Sequence, residues 1–169
     1  MGDTLFIRRS IRKFLDTPIE REVIERILSA GMHAPSPMDA RPWEFLVLTR
    51  PEGRGIIANM SPYSGLAANA PAVILTLADT EREKEEGWYV QALSACSQNI
   101  LLQIVEEGLG GVWLGIYPER PRMKKLQQAF GLPESLVPFS AIPFGHSERI
   151  NRPADRFEPV RIHYEAYSR

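Results

Sequence analysis

Cysteine is almost absent from this chain. Cys96 is the only one, so no internal disulfide can form and a reducing compartment is the natural setting. Histidine is scarce too: His33, His146 and His163 are scattered, and none stands at metal-ligand spacing from cysteine or carboxylate, which argues against a zinc site. No stretch approaches the roughly 20 uninterrupted apolar residues of a membrane span. Met1 to Phe14 carries arginines without the apolar run of a signal peptide, so a cytoplasmic protein with no membrane partner is expected. The net charge is only -1, which removes general attraction to nucleic acid. Internal repeats and a nucleotide-triphosphatase phosphate loop are also missing. Gly108-Leu109-Gly110-Gly111 precedes an expected strand instead of opening a helix, the wrong context for a dinucleotide fingerprint. Ser10 and Ser36 lack the strand-to-helix elbow of a hydrolase, and Cys96 sits in an apolar helical run where a thiol behaves as a small hydrophobe. No covalent nucleophile is left.

What the chain does contain fits one globular domain. It has 169 residues, 44% hydrophobic and 24% charged, enough to bury about two-thirds of its unfolded surface in a core. Thr17-Pro18-Ile19-Glu20 combines a capping-box pattern with proline at the first helical position, and Ile19, Val23, Ile27 and Leu28 recur on one face. Gly31 is the expected left-handed stop, followed by an extended loop through Pro35, Pro37 and Pro42 and a strand from Trp43 to Thr49. Residues 50–71 are punctuated by proline and glycine, with room for a short helix around Arg54 to Met60. Ala72 to Ala78, apolar on both faces, is the expected central strand. Trp88 to Glu107 forms a long helix that is apolar nearly all round, either an ordinary core helix or one that meets a partner. Val112 to Tyr117 predicts a strand, Pro121 to Phe130 a helix closed by Gly131, and Phe139 to Gly145 another strand. The alternation in Val160 to Tyr164 suggests a final strand added to a sheet edge.

Two basic neighbourhoods bracket the chain, Arg8-Arg9-Ser10-Ile11-Arg12 near its start and Arg152-Pro153-Ala154-Asp155-Arg156 near its end. Guanidinium forks and a serine hydroxyl match the oxygens of a phosphate, so a phosphorylated ligand is expected. A solvated basic cluster is the plain alternative.

These clusters have company: Ala34-Pro35-Ser36-Pro37-Met38-Asp39-Ala40-Arg41-Pro42-Trp43-Glu44-Phe45, then Gly110-Gly111-Val112-Trp113-Leu114-Gly115-Ile116-Tyr117, then Arg156-Phe157. Together with Arg8 to Phe14 they resemble, in order and spacing, the FMN-dependent nitroreductase family over nearly the whole chain. The resemblance implies an α+β fold, a three-layer sandwich with a central, mostly antiparallel sheet flanked by helices, completed as an intertwined homodimer. Residues 1–169 would be a single FMN-binding domain, with 146–169 a C-terminal arm reaching the partner subunit.

By position, the resemblance gives Arg8 and Ser10 to the FMN phosphate, Arg9 to the ribityl chain or phosphate, and Arg12 to the pyrimidine edge of the ring. A cation there favours the reduced, negatively charged flavin. Pro35, Ser36 and Pro37 resemble a loop that covers the flavin from the second subunit. Asp39 stands where many relatives carry asparagine; an ionised acid cannot donate a hydrogen bond, so ring contact, solvent exposure and an arginine pair are all open for it. Leu114 and Gly115 would present backbone amides to the flavin, with Gly115 either permitting close approach or marking a bulge. Arg156 matches a terminal phosphate-binding arginine, while Ala154 stands where a lysine is sometimes found. No side chain acts as catalytic acid or base. NAD(P)H would deliver hydride to flavin N5, and a nitroaromatic, quinone or similar small-molecule acceptor would take it in a ping-pong cycle. Only Asp79 to Gly87 separates the central strand from the long helix, too little for a lid. A flavin-remodelling or dehalogenating relative, or a dimeric FMN sensor or carrier without turnover, are the alternatives.

Overall fold

The apolar run in the middle of the chain becomes the centre of the sheet. The computed structural model describes residues 4–148 and 153–167. Its helices are α1 (Thr4–Ile7), α2 (Arg21–Met32), α3 (Pro51–Ala58), α4 (Glu86–Glu106) and α5 (Arg120–Phe130). Its strands are β1 (Trp43–Leu48), β2 (Ala72–Asp79), β3 (Gly110–Gly111), β4 (Leu114–Gly115) and β5 (Leu136–Gly145). The sheet order is β1-β2-β5-β3, with β4 also on β5, and every pairing within it is antiparallel.

Strand alternation sorts β2 between two cores. Ala72, Ile74 and Ala78 join α2 and α4 on one face; Val73, Leu75 and Leu77 join α3 and α5 on the other. Both faces are covered, which is why the strand carries no polar face. The expected α+β sandwich of three layers is the observed one. Its one polar interruption is satisfied internally: Thr76 and Ser140 pair their hydroxyls at 2.8 Å, and Ser97 of α4 meets Ser140 at 3.2 Å.

Several boundaries differ from the sequence reading, each for a physical reason. Helix α2 begins at Arg21, because Glu20 is the extended residue whose carbonyl accepts from Val23 and Ile24. No side-chain cap forms there. Gly31 does not end it: the residue lies inside the helix, where a Cβ would sit 2.8 Å from Ile100 Cγ1 and 3.2 Å from Cys96 Sγ. It is glycine so that α2 and α4 can touch. Helix α3 starts at Pro51, earlier than expected, with proline at its first position and Gly53 closely packed on Leu48. Of the expected strand over 112–117 only Leu114–Gly115 (β4) forms; β3 pairs just before it, and between the two the chain faces a stretch of β5 that contains Pro143, a residue with no N–H to donate to the ladder. Gly108 and Gly131 do take left-handed angles, φ 73° and 62°, after α4 and α5. Val160 to Tyr164 forms no strand; a 3-10 turn spans Pro159–Arg161 instead. Val160 and Tyr164 are 81% and 82% exposed, so the alternation has no surface of its own chain to bury against.

Cys96 is fully buried between α4 and α2, and burial pushes its thiol up to about 12. Thiol titration should find almost no reactive cysteine in the folded protein and one per chain after denaturation. Rapid labelling of native protein would place Cys96 at the surface.

Candidate functional site

The N-terminal segment is laid along the edge strand β3. Ser10 forms a parallel bridge with Gly111, and the Ile11 amide donates to the Gly111 carbonyl at 3.0 Å. Ile11 is 2% exposed and anchors the segment. The contact exists because position 110 has no side chain, since a Cβ there would lie 2.7 Å from Ile11 Cβ. With Ile11 held inward, its polar neighbours are left to line two cavities.

The first cavity, about 580 Å³, has Leu5, Phe6 and Phe157 as apolar walls, Arg8, Arg9 and Arg156 as cations and Asp155 as its one acid among the described residues. Three guanidinium groups separated by nearly the whole chain meet there. Burial lowers the pKa of Arg8, and the charges of Arg156 and Arg9 lower it further. Among the described residues, none of the three arginines forms a salt bridge. Arg9 donates through Nη1 to the carbonyls of Phe6 (3.0 Å) and Arg8 (2.7 Å), while its Nη2 is buried with no partner. A buried unpaired donor among mutually repelling cations is costly unless an anion completes it. A phosphate dianion matches these guanidinium groups in charge and hydrogen bonding.

The second cavity, about 540 Å³, continues along the same segment past Ser10 and Ile11 to Arg12, Lys13, Phe14 and Ser147. Among the described residues Arg12 makes one contact, a long one of 3.5 Å with the Ser10 carbonyl, and no salt bridge with Glu148 on the same cavity. Farther along the sheet, Leu114 is half-buried and Gly115 exposed. A Cβ on Gly115 would meet nothing within 4 Å; the glycine leaves open room beside the strand, and Arg122 Nη1 holds its carbonyl at 2.5 Å.

The proline-rich loop lies elsewhere. Pro35, Ser36, Pro37 and Asp39 border neither cavity, so within one chain they are not brought to the arginines. Asp39 takes both oxygens to Arg41, Nε to Oδ1 at 2.7 Å and Nη2 to Oδ2 at 2.6 Å. The arginine pair forms, and it forms in solvent, with the Asp39 side chain 71% exposed. The hydrogen bond from Arg41 holds the Asp39 carboxyl below its ordinary range. Met38, Asp39 and Arg41 have φ of 53°, 55° and 48°, a strained run. It carries Met38 outward, 89% exposed, and the Ser36 hydroxyl steadies it by accepting from the Arg41 amide at 3.0 Å. Arg152 lies outside the described residues, and Ala154 borders the arginine cavity without a charge.

Some contributors were not singled out from sequence. Leu5, Phe6 and Phe157 give the arginine cavity apolar walls, and α1 holds the first two in place through Thr4 Oγ1 donating to Glu106 Oε2 at 2.6 Å. The signal for Leu5 and Phe6 was the apolar run Leu5-Phe6-Ile7 before Arg8, and for Phe157 its place next to Arg156. Arg122 carried no signal short of the tertiary contact.

The antiparallel sheet between two helical layers, with an arginine-lined cavity beside its last edge strand, defines a three-layer α+β sandwich. Within that class, the chain belongs to the nitroreductase family, which its sequence matches over residues 6–65 and 58–146. A provisionally named NADH dehydrogenase/NAD(P)H nitroreductase of Methanothermobacter thermautotrophicus is 41% identical over 160 residues, covering 95% of this chain and 84% of that one. A solved structure from Clostridium acetobutylicum, provisionally described as an NADH oxidase, has a TM-score of 0.94 at 39% identity and covers 98% of this chain and 100% of its own. Another, a provisionally assigned nitroreductase in complex with FMN from Desulfovibrio desulfuricans, has a TM-score of 0.84 at 30% identity, covering 98% and 96%.

Proposed function

We propose that the protein is an FMN-dependent oxidoreductase that takes electrons from NAD(P)H and passes them to nitroaromatic, quinone or similar electron-poor acceptors. The observation that carries this reading is the meeting of Arg8, Arg9 and Arg156 around a buried, unpaired Arg9 Nη2. One terminal phosphate fits there. Arg8, Arg9 and Arg156 would hold it with the Ser10 hydroxyl, and Arg12 would lie along the continuing cavity at the pyrimidine edge. Leu114 and Gly115 would offer backbone close to the ring. Bound there, FMN supplies reversible two-electron chemistry, so donor and acceptor can use one place in turn, a ping-pong order. This chain's residues then bind, orient and tune, with no side-chain acid or base needed. The test is the flavin released from purified protein, followed by NADH and NADPH oxidation with a quinone. Colourless protein that takes up no added FMN would remove both the site and the mechanism.

Arg12 is a positioning charge with its own readout. A fixed cation beside the pyrimidine edge stabilises the negatively charged reduced form over the neutral oxidised one. Arg12→Ala should therefore lower the flavin reduction potential while leaving much of the affinity intact, as potentiometry of reconstituted protein would record. An unchanged potential would take Arg12 away from the ring edge.

The working unit in this reading is a homodimer, cytoplasmic in setting. Its support is apolar surface that one chain leaves uncovered: Trp88 is exposed and Val90, Leu102 and Val105 of α4 only half-buried, while Phe157, Val160, Ile162 and Tyr164 stand exposed along the arm. Strand β1 is also an open sheet edge. The arm within 146–169 would cross to the partner, and Pro35 to Pro37 would cover the flavin of the other subunit. Obligate interfaces of this kind bury on the order of 2,000 Å² or more, so no folded monomer should persist on dilution. Sedimentation that finds a flavin-loaded monomer would refute the dimer.

A further inference from the structure

Helix α5 carries four cations in its first six residues, and they fall into two kinds. Arg122 donates to the Gly115 carbonyl and Lys125 to the Asn59 carbonyl at 2.8 Å, so both are ties that fix the helix to the body of the protein. Arg120 and Lys124 have no hydrogen bond or salt bridge among the described residues and are exposed. They stand four residues apart on one helical face, where like charges repel. Both line a groove of about 770 Å³ beside α5, with Met123 and Leu132 as its apolar part and Gln128 and Glu134 farther along. Gln127, also on the groove, is engaged with the Leu136 carbonyl at 3.1 Å, whereas Gln128 is exposed.

The groove starts at the end of α5 that follows β4 in the chain. Arg120 follows Gly115 by one short loop, its charge reaches the Tyr117 phenol between them, and the Arg122 tie holds the start of α5 against β4. A dinucleotide whose nicotinamide lies beside Gly115 has an adenosine end that must lie somewhere beyond it. An unpaired arginine and lysine at the near end of an amphipathic groove suit an extra phosphate. The apolar floor suits a base, and the amide and carboxylate suit its amine and the ribose hydroxyls.

We propose that the α5 groove receives the adenosine 2′-phosphate end of NADPH, with Arg120 and Lys124 on the 2′-phosphate, so that the enzyme prefers NADPH to NADH. This rests on the oxidoreductase reading above and names its donor. Calorimetric titration of the FMN-loaded protein with adenosine 2′,5′-bisphosphate and with 5′-AMP tests it without turnover. The bisphosphate should bind at least about ten-fold more tightly, and the double variant Arg120→Ala/Lys124→Ala should lose that difference. In steady state, the ratio of kcat/KM for NADPH to that for NADH should fall about ten- to a hundred-fold in the double variant. The single variant Lys124→Ala should show part of the loss, which guards against a fault of folding in the double variant. Equal affinity for the two nucleotides, or an unchanged ratio in the variants, overturns the proposal. Protein that discriminates the nucleotides through these two residues but oxidises neither dinucleotide keeps the groove and overturns the oxidoreductase reading instead.

Discussion

Arg8→Ala and Arg156→Ala should each weaken FMN binding by about 1.5–3 kcal/mol, a loss of roughly ten- to a hundred-fold in affinity. Arg8 is partly buried and already destabilised as a cation by the charges of Arg156 and Arg9, so without FMN three like charges stand together, and Asp155 on the same cavity forms no salt bridge with any of them. A phosphate dianion relieves that repulsion while accepting charge-assisted bonds, and each deleted guanidinium removes one such bond. The same reasoning fixes the sign of a second effect. The variants lose self-repulsion in the apoprotein, so without FMN their thermal stability should hold or rise as FMN affinity falls. A purely structural role would lower both together. Fluorescence titration with FMN beside apoprotein melting separates the two, and a variant that binds FMN as tightly as the parent would remove its arginine from the phosphate. Affinity should also fall as ionic strength rises, because the attraction lies in a pocket open to solvent.

The site could be read from sequence to the extent that it is local. Arg8, Arg9, Ser10 and Arg12 share five residues, and a buried Ile11 among them is enough to orient the cluster. Arg156 could be assigned by resemblance, yet its meeting with Arg8 depends on how the chain returns after β5, which no local pattern encodes. Gly31 and Gly110 show the same limit from the packing side. A glycine near the end of a helical run looks like a stop, but Gly31 was determined by Ile100 and Cys96 on α4, residues far along the chain. The shortening of the expected 112–117 strand to Leu114–Gly115 goes with Pro143 in β5, again a neighbouring strand's property. Val160 to Tyr164 fails as a strand for a related reason: period-two alternation specifies which faces differ, and a strand forms only where a second edge is present to accept it.

Gly110→Ala should cost stability and FMN affinity together, which distinguishes it from every substitution in the arginine pocket. The added Cβ would stand 2.7 Å from both Cβ and Cγ1 of Ile11 and 2.8 Å from its Cγ2, and Ile11 has no empty space to retreat into because it is almost fully buried. Overpacking of this kind costs about 1–3 kcal/mol. The strain has one easy outlet, outward movement of the segment, which breaks the Ile11–Gly111 hydrogen bond and the Ser10 bridge and displaces Ser10 and its arginine neighbours from their cavities. Gly115→Ala is the contrast: open space surrounds that position, so stability should change by no more than about 0.5 kcal/mol while any loss of FMN reports ring approach alone. The coupling can be measured directly. Ile11→Gly alone removes the buried side chain together with its Cβ and should cost at least about 2–5 kcal/mol, but in that background Gly110→Ala meets no side chain at position 11 and should add little. Denaturant unfolding of the four proteins gives the interaction energy, and strictly additive costs would show that Gly110 is not what seats the arginine segment on the sheet.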